Sequence, residues 1–245
     1  TYLREQIESK MPVLKFRQHH TGTEIETGEG VWRADREFFE NAIIKQARDG
    51  LFSKPDMSKV IAWRNIRVDA FNKMIRGTLF PGDDKPDWLP TDRVIFTAPA
   101  IDRYGDLIAT VDDEGEILNT SLDILNVMDI NFKIWLFDIK LDFDDSIVTA
   151  MVLHSDSHQT YSDKLKELAD SARNKLCSWH QFWSFKEAFN ELKYAYAITA
   201  HKAQNSTYDT AFVCWQDIMR NPNEKEAYKC LYVGATRPKR ALVFS

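Results

Sequence analysis

The segment Thr199-Ala200-His201-Lys202-Ala203-Gln204-Asn205 gathers a hydroxyl, an imidazole, an ammonium and an amide directly after the apolar run Ala195 to Thr199. Read as a buried strand, that run delivers these groups at its carboxyl end, where open α/β sheets bind ligands. Together they could hold a phosphate through hydrogen bonds and charge. An ordinary strand-to-helix turn with polar capping residues has the same composition, and on composition alone it is the commoner case.

A second segment, Leu231-Tyr232-Val233-Gly234-Ala235-Thr236-Arg237-Pro238-Lys239-Arg240, puts guanidinium groups just past an apolar helical stretch and ahead of the strand-like Ala241 to Phe244. A guanidinium so placed can reach across a cleft to an anion. The plainer reading is a cationic helix end that satisfies its own carbonyls.

Other clusters carry less. Trp179, Phe182, Trp183, Phe185 and Phe189 could stack on bases, but so dense an aromatic group is more often a satellite core. Asp142, Asp144 and Asp145 read as turn carboxylates without the further oxygen ligands a cation needs, and His19-His20, His154 and His158 read as surface residues with no metal partners. No metal site is expected. No G-x-x-x-x-G-K-[ST] phosphate loop occurs in the sequence, which has only nine glycines, and no Asp-Glu pair follows a buried strand to place magnesium.

The elements that must position these groups follow from periodicity. Phe38, Ala42 and Ile43, stopped by Gly50, make a surface helix; Val60-Ile61-Ala62-Trp63 makes a buried strand; Val68, Phe71, Ile75 and Leu79 make a second helix closed by Pro81-Gly82. Strand, turn and helix form one unit of a parallel α/β layer. From Thr91 to Ser157 the period changes to two, with Ile139, Leu141 and Phe143 alternating with acidic and basic residues and a turn over Asp112 to Gly115, which predicts a small inserted β-barrel. Ser162 is the expected N-cap of a helix carrying Leu165, Leu168, Ala172 and Leu176 on one face. Ala211 to Trp215 reads as a further strand, and Asn221-Pro222-Asn223-Glu224 as a helix start with Asn221 capping.

With 245 residues, 44% of them hydrophobic, the chain can bury one large core or two small ones. Its 32 basic and 37 acidic residues leave a net charge of -5, so any nucleic-acid site must be local. Cys177, Cys214 and Cys230 have neither disulfide-framework nor zinc-knuckle spacing, and no run approaches the ~20 apolar residues of a membrane span, which together predict a soluble protein of the reducing cytoplasm. Thr1 in place of Met suggests a piece of a longer polypeptide.

In their order and spacing, the two polar segments resemble motifs V and VI of superfamily 1 helicases, with family forms near T-x-H-K-A-Q-G-x-S and L-Y-V-A-x-T-R. The resemblance is strongest to the 5′-to-3′ branch containing RecD and the phage Dda-type enzymes. Val60-Ile61-Ala62-Trp63-Arg64-Asn65, Val68-Asp69, Asn72 and Ile75-Arg76 follow that branch's "A-F-T-N … V-D … N … I-R" pattern, and Trp179-His180-Gln181-Phe182-Trp183 with Phe189 resembles the aromatic patch before motif V. The resemblance implies an α/β, RecA-like lobe of the P-loop NTPase type without its own phosphate loop, interrupted by an SH3-like barrel. The expected division is 1–90, first part of the lobe; 91–157, the barrel; and 158–245, the aromatic segment and the rest of the lobe.

It further implies that Arg237 is an arginine finger on the γ-phosphate. Gln204, Thr207 and Arg76 would couple to the nucleotide, while Thr199, His201, Lys202 and Asn65 would contact single-stranded DNA. ATP and Mg2+ would be held mainly by an N-terminal lobe of the same polypeptide, with replication or recombination proteins as candidate partners. Without phosphate loop or magnesium carboxylates, the chain alone is expected not to hydrolyse ATP. Asn205 departs from the family's glycine, though Asn tolerates left-handed backbone, and Pro238 is expected to force Arg237 out of helical geometry. A different class, a non-catalytic module that binds protein or nucleic acid through the barrel, is the alternative.

Overall fold

The computed structural model describes residues 29–245, so His19 and His20 lie outside the described residues. The elements run β1 (Gly30–Arg33), α1 (Arg36–Arg48), β2 (Ser58–Ala62), α2 (Asn65–Leu79), β3 (Arg93–Phe96), β4 (Ala100–Ile101), β5 (Leu107–Ala109), β6 (Glu114–Val127), β7 (Ile130–Leu141) and β8 (Ile147–Leu153). They continue with α3 (His158–Arg173), α4 (Trp179–Lys186), β9 (Leu192–Tyr194), β10 (Ala197–Thr199), β11 (Tyr208–Val213), α5 (Trp215–Ile218), α6 (Glu224–Thr236) and β12 (Pro238–Phe244). The described residues form two compact units: those up to Lys85 together with Tyr194–Ser245, and the intervening Pro86–Lys193.

The first unit is a five-stranded sheet in the order β1-β12-β11-β2-β10, and every neighbouring pair is parallel. Central parallel strands are buried on both faces, which is why Val60, Ile61, Ala62, Phe212 and Val213 form continuous apolar runs with 0% exposure. Phe39 of α1 meets Phe71 of α2 and Phe212 of β11 edge to face, with centroids 6.1 and 5.8 Å apart. The Asp35 carboxylate caps α1 by accepting from the Phe38 N–H at 2.8 Å, and Gly50, at φ 70°, turns the chain away after the helix as expected. Among the described residues no helix is long and apolar enough to cross a membrane.

The second unit holds a sheet in the order β8-β7-β6-β3-β9 and the short pair β4-β5. The long β6–β7 hairpin turns on Met128 and Asp129, both at positive φ (51° and 63°), as a two-residue loop matched to strand twist requires. One face of β7 carries Phe137, Ile139 and Leu141 into one core; the other carries Phe132 and Ile134 against Leu168 of α3, Phe185 of α4 and Phe189. The aromatic patch is thus largely core, although Trp179 and Trp183 remain about half exposed (47% and 48%). Helices α3 and α4, part of the aromatic segment expected within 158–245, cover this sheet, and the unit runs on to Lys193.

Several local expectations are corrected. The helix expected to start at Ser162 begins at His158, because a 3-10 turn over Ser155–Ser157 supplies its entry, and Leu176 lies beyond its end, 80% exposed. Asn223, not Asn221, caps α6 by accepting from the Glu226 N–H, while the Asn221 side chain is occupied with the Asn223 N–H. Trp215 opens the short helix α5 instead of ending a strand. The acidic cluster is spoken for: Asp142 pairs with buried Arg93, Asp144 accepts from the Ser146 N–H and Asp145 pairs with Lys140.

Candidate functional site

Because all five strands of the first unit are parallel, every connection between them must return from the carboxyl edge of the sheet to its amino edge. The loop 200–207 leaves β10 at Thr199 and enters β11 at Tyr208, with β2 between them in the sheet. Thr199 pairs in register with Ala62, whereas Thr210 pairs with Ser58, so the loop must travel most of a strand length. Asn205 takes part of that turn at φ 78°, in the left-handed region that asparagine tolerates.

The predicted residues sort along this path. Thr199 ends β10, and its hydroxyl accepts from the Lys202 N–H at 3.4 Å. His201 and Lys202 follow at the carboxyl edge, and Asn65, exposed, starts α2 three residues after β2 ends at the same edge. Gln204 and Thr207, both exposed, lie in the returning half of the loop, and Arg237 directly precedes β12 at the amino edge. Arg76, in the last turn of α2, is not brought to the surface: it is 6% exposed, with its guanidinium 4.9 Å over the Tyr194 ring and 5.7 Å over Phe80.

Two contacts tie the loop to α6. The His201 Nε2 lies 3.0 Å from the Glu226 Oε1, and this hydrogen bond holds the Glu226 carboxyl below its ordinary range despite some desolvation. At the other end, the Arg237 Nη1 donates to the Ser206 carbonyl at 3.3 Å, while its Nε and Nη2 donate to the Val233 carbonyl and the Thr236 hydroxyl at 3.2 and 3.0 Å. Three of the five guanidinium donors are thereby engaged. Pro238 does not force Arg237 out of helical geometry; it sits at φ -83°, ψ -33°, held by the carbonyl contacts of its side chain and by its own carbonyl, which accepts from the Tyr208 N–H at 3.0 Å. The preference of a pre-proline residue for extended backbone is a bias that such contacts overcome.

Position in the fold also identifies residues that the spacing did not. At the carboxyl ends of β2, β11 and β12 lies a cleft of about 220 Å³ lined by Arg36, Arg64, Arg67 and Arg220 with Glu40 and Asp217. Asp217, 3% exposed, accepts from the Trp63 and Arg64 N–H groups at 2.9 Å each and from the Arg64 Nε at 2.6 Å. It fixes the entry to α2 from a distant part of the chain, and nothing local in the sequence marks it. Asn72, quoted above only as part of a pattern, proves structural: its amide bonds both backbone groups of Ala197 and so sets β10.

Residues 194–245 match the family described as UvrD-like helicase C-terminal domain. The ATP-dependent DNA helicase dda of Enterobacteria phage T4 is 25% identical over 225 residues, 82% of this chain and 49% of the phage protein. The mimivirus protein R530 of Acanthamoeba polyphaga mimivirus is 21% identical over 231 residues, 76% of this chain and 47% of that protein. The chain therefore spans about half the length of the curated relatives it matches. Among solved structures, Pif1 helicase from Bacteroides in complex with ADP-AlF3 and ssDNA shares 12% identity at TM-score 0.41, covering 86% of this chain and 45% of that one. Pif1 helicase from Candida albicans shares 12% at TM-score 0.40, covering 86% and 53%. The C-terminal segment thus resembles a UvrD-like helicase C-terminal domain, and most of the chain is similar to about half of a phage DNA helicase.

Proposed function

We propose that this chain is the second motor lobe of an ATP-dependent DNA helicase that moves 5′ to 3′ along single-stranded DNA and unwinds duplex. The observation that carries the reading is the path of the loop 199–207, which runs from one edge of the sheet to the other while bonded to α6 at both ends. A change at the nucleotide edge thereby has a covalent and hydrogen-bonded route to the DNA edge. Thr199, His201, Lys202 and Asn65 hold the DNA backbone, and the arginine cleft beside Asn65 extends that cationic track. Gln204, Thr207 and Arg237 serve the nucleotide; Arg76 acts indirectly, by supporting the approach to β10 through Tyr194.

Toward a triphosphate, the chain offers a cation and not a cradle. Arg237 has two guanidinium donors beyond its three engaged ones, enough to meet a phosphate oxygen, but the sequence holds no phosphate loop or magnesium carboxylates. ATP and Mg2+ thus belong mainly to a preceding lobe, and the isolated chain has no ATPase activity. The β-rich part of the unit Pro86–Lys193, over 91–157, is our candidate for the SH3-like insertion that the resemblance implies.

The test is salt-dependent binding of fluorescently labelled oligo-dT to the chain. Binding should be weak, should fall steeply as salt rises, and should weaken at least several-fold in Thr199→Ala and Lys202→Ala while the slope against salt flattens for the lysine variant. Binding that ignores salt, or that these substitutions leave unchanged, contradicts the assignment.

A further inference from the structure

His201, Glu226 and Cys230 have a geometry that neither phosphate binding nor helix capping requires. Glu226 and Cys230 stand one helical turn apart on α6, facing the loop that carries His201. The imidazole Nε2 lies 3.0 Å from the Glu226 Oε1 and 3.9 Å from the Cys230 Sγ, and one donor atom from each residue falls within 4.8 Å of the others. Zinc–ligand bonds of ~2.0–2.3 Å at tetrahedral angles set neighbouring donors ~3.3–3.6 Å apart, so the two His201 separations need shifts of a few tenths of an ångström and the Glu226–Cys230 separation must shorten by up to about an ångström to close a shell.

We infer that His201, Glu226 and Cys230 form a binding site for a borderline-soft divalent cation of the zinc class, with the fourth position open to water. The donor set selects the metal: thiolate and imidazole disfavour magnesium and calcium, and a single carboxylate completes three protein ligands of the kind zinc accepts. Cys230 is 2% exposed, which makes the thiol a poor nucleophile toward bulky reagents but a well-shielded ligand. Binding displaces the thiol proton to solvent, so affinity rises with pH. Lys229, whose ammonium lies 3.5 Å from the Glu226 Oε2, is the nearby cation that must swing aside. One consequence rests on the proposed function: an imidazole that ligates zinc cannot also hold a phosphate, so the cation and DNA compete for His201.

Cobalt(II), in a buffer with a non-thiol reductant, provides a direct probe. Titration of the chain should give an intense visible spectrum of tetrahedral cobalt together with a thiolate-to-cobalt charge-transfer band, saturating at one equivalent and bleached by zinc. Cys230→Ser should abolish the charge-transfer band, and His201→Gln, a substitution at an exposed residue that leaves the core intact, should lower affinity at least ~10-fold. Cys177→Ser and Cys214→Ser should keep both features. Absence of the charge-transfer band in the wild type, or its survival in Cys230→Ser, overturns the site. This readout involves no DNA, so it stands or falls apart from the motor reading; saturating zinc should in addition weaken oligonucleotide binding several-fold, and unchanged binding overturns the competition.

Discussion

The Asn72 side chain pairs with the backbone of Ala197 as a strand would, its amide donating to the Ala197 carbonyl at 3.0 Å and its carbonyl oxygen accepting from the Ala197 N–H at 2.7 Å. Through this pair α2 sets the position of β10 and of Thr199 at its end. Asn72→Ala leaves two buried backbone groups without partners, and the first unit should lose about 2–3 kcal/mol, read by urea denaturation. Asn72→Asp should not rescue, since a carboxylate has no N–H for the Ala197 carbonyl. A loss below about 0.5 kcal/mol in the alanine variant would show that β10 is held otherwise.

Asp217 organises the same carboxyl edge, just past the end of β2. Its buried carboxylate neutralises Arg64 and accepts two backbone N–H groups, so Asp217→Ala strands several donors at once and should cost about 3 kcal/mol. Arg64→Ala should cost less, because the backbone donors still satisfy the acid. Thermal denaturation of the two variants checks the order, and a larger loss for Arg64→Ala contradicts it.

Asn205 sits at φ 78°, where a β-branched residue is strained. Asn205→Gly should be neutral or stabilising by up to about 1 kcal/mol, and Asn205→Val destabilising by about 1–2 kcal/mol. Equal stability of the two variants would mean that the loop rearranges freely. It would also remove the argument that this loop transmits a change from edge to edge.

Much of the lobe was legible because its signals are local or periodic. The run Val60 to Ala62 and the stripe Val68, Phe71 and Ile75 state their burial directly, and left-handed backbone at Asn205 is what the glycine of the resembled family implies and asparagine tolerates. What was hidden depends on distant pairing. Asp217 looks like any surface acid until β11 and β2 are placed side by side, 153 residues separating it from Arg64, and the Glu226 and Cys230 partners of His201 become visible only once α6 packs beside the loop. Capping was misread at Ser162 and Asn221 because a short 3-10 turn and an Asx turn, both local alternatives to a helix start, compete for the same polar residues.

Burial, with a further push from Glu226, raises the Cys230 thiol from 9.0 to about 11. A thiol whose folded value lies above its unfolded one stabilises the fold fully below pH 9, and that contribution is lost as pH rises from 9 toward 11. Stability of the metal-free chain should therefore fall across this window, and Cys230→Ala should flatten the fall relative to wild type. Denaturation midpoints measured at intervals of pH decide it; identical slopes contradict the assignment of that proton to Cys230.

The central claim is that Arg237 acts on the nucleotide while Thr199 acts on DNA, the two being joined by the loop between them. The most direct measurement is steady-state ATPase activity, with and without single-stranded DNA, of a protein that carries this chain together with its ATP-binding lobe. Arg237→Ala should lower the DNA-stimulated turnover by ~10³ or more while oligonucleotide affinity is largely kept, and Arg237→Lys should rescue poorly, since an ammonium lacks the forked donor geometry. Thr199→Ala should instead weaken DNA binding and DNA stimulation more than basal turnover. Near-wild-type DNA-stimulated turnover in a folded Arg237→Ala protein would contradict the account.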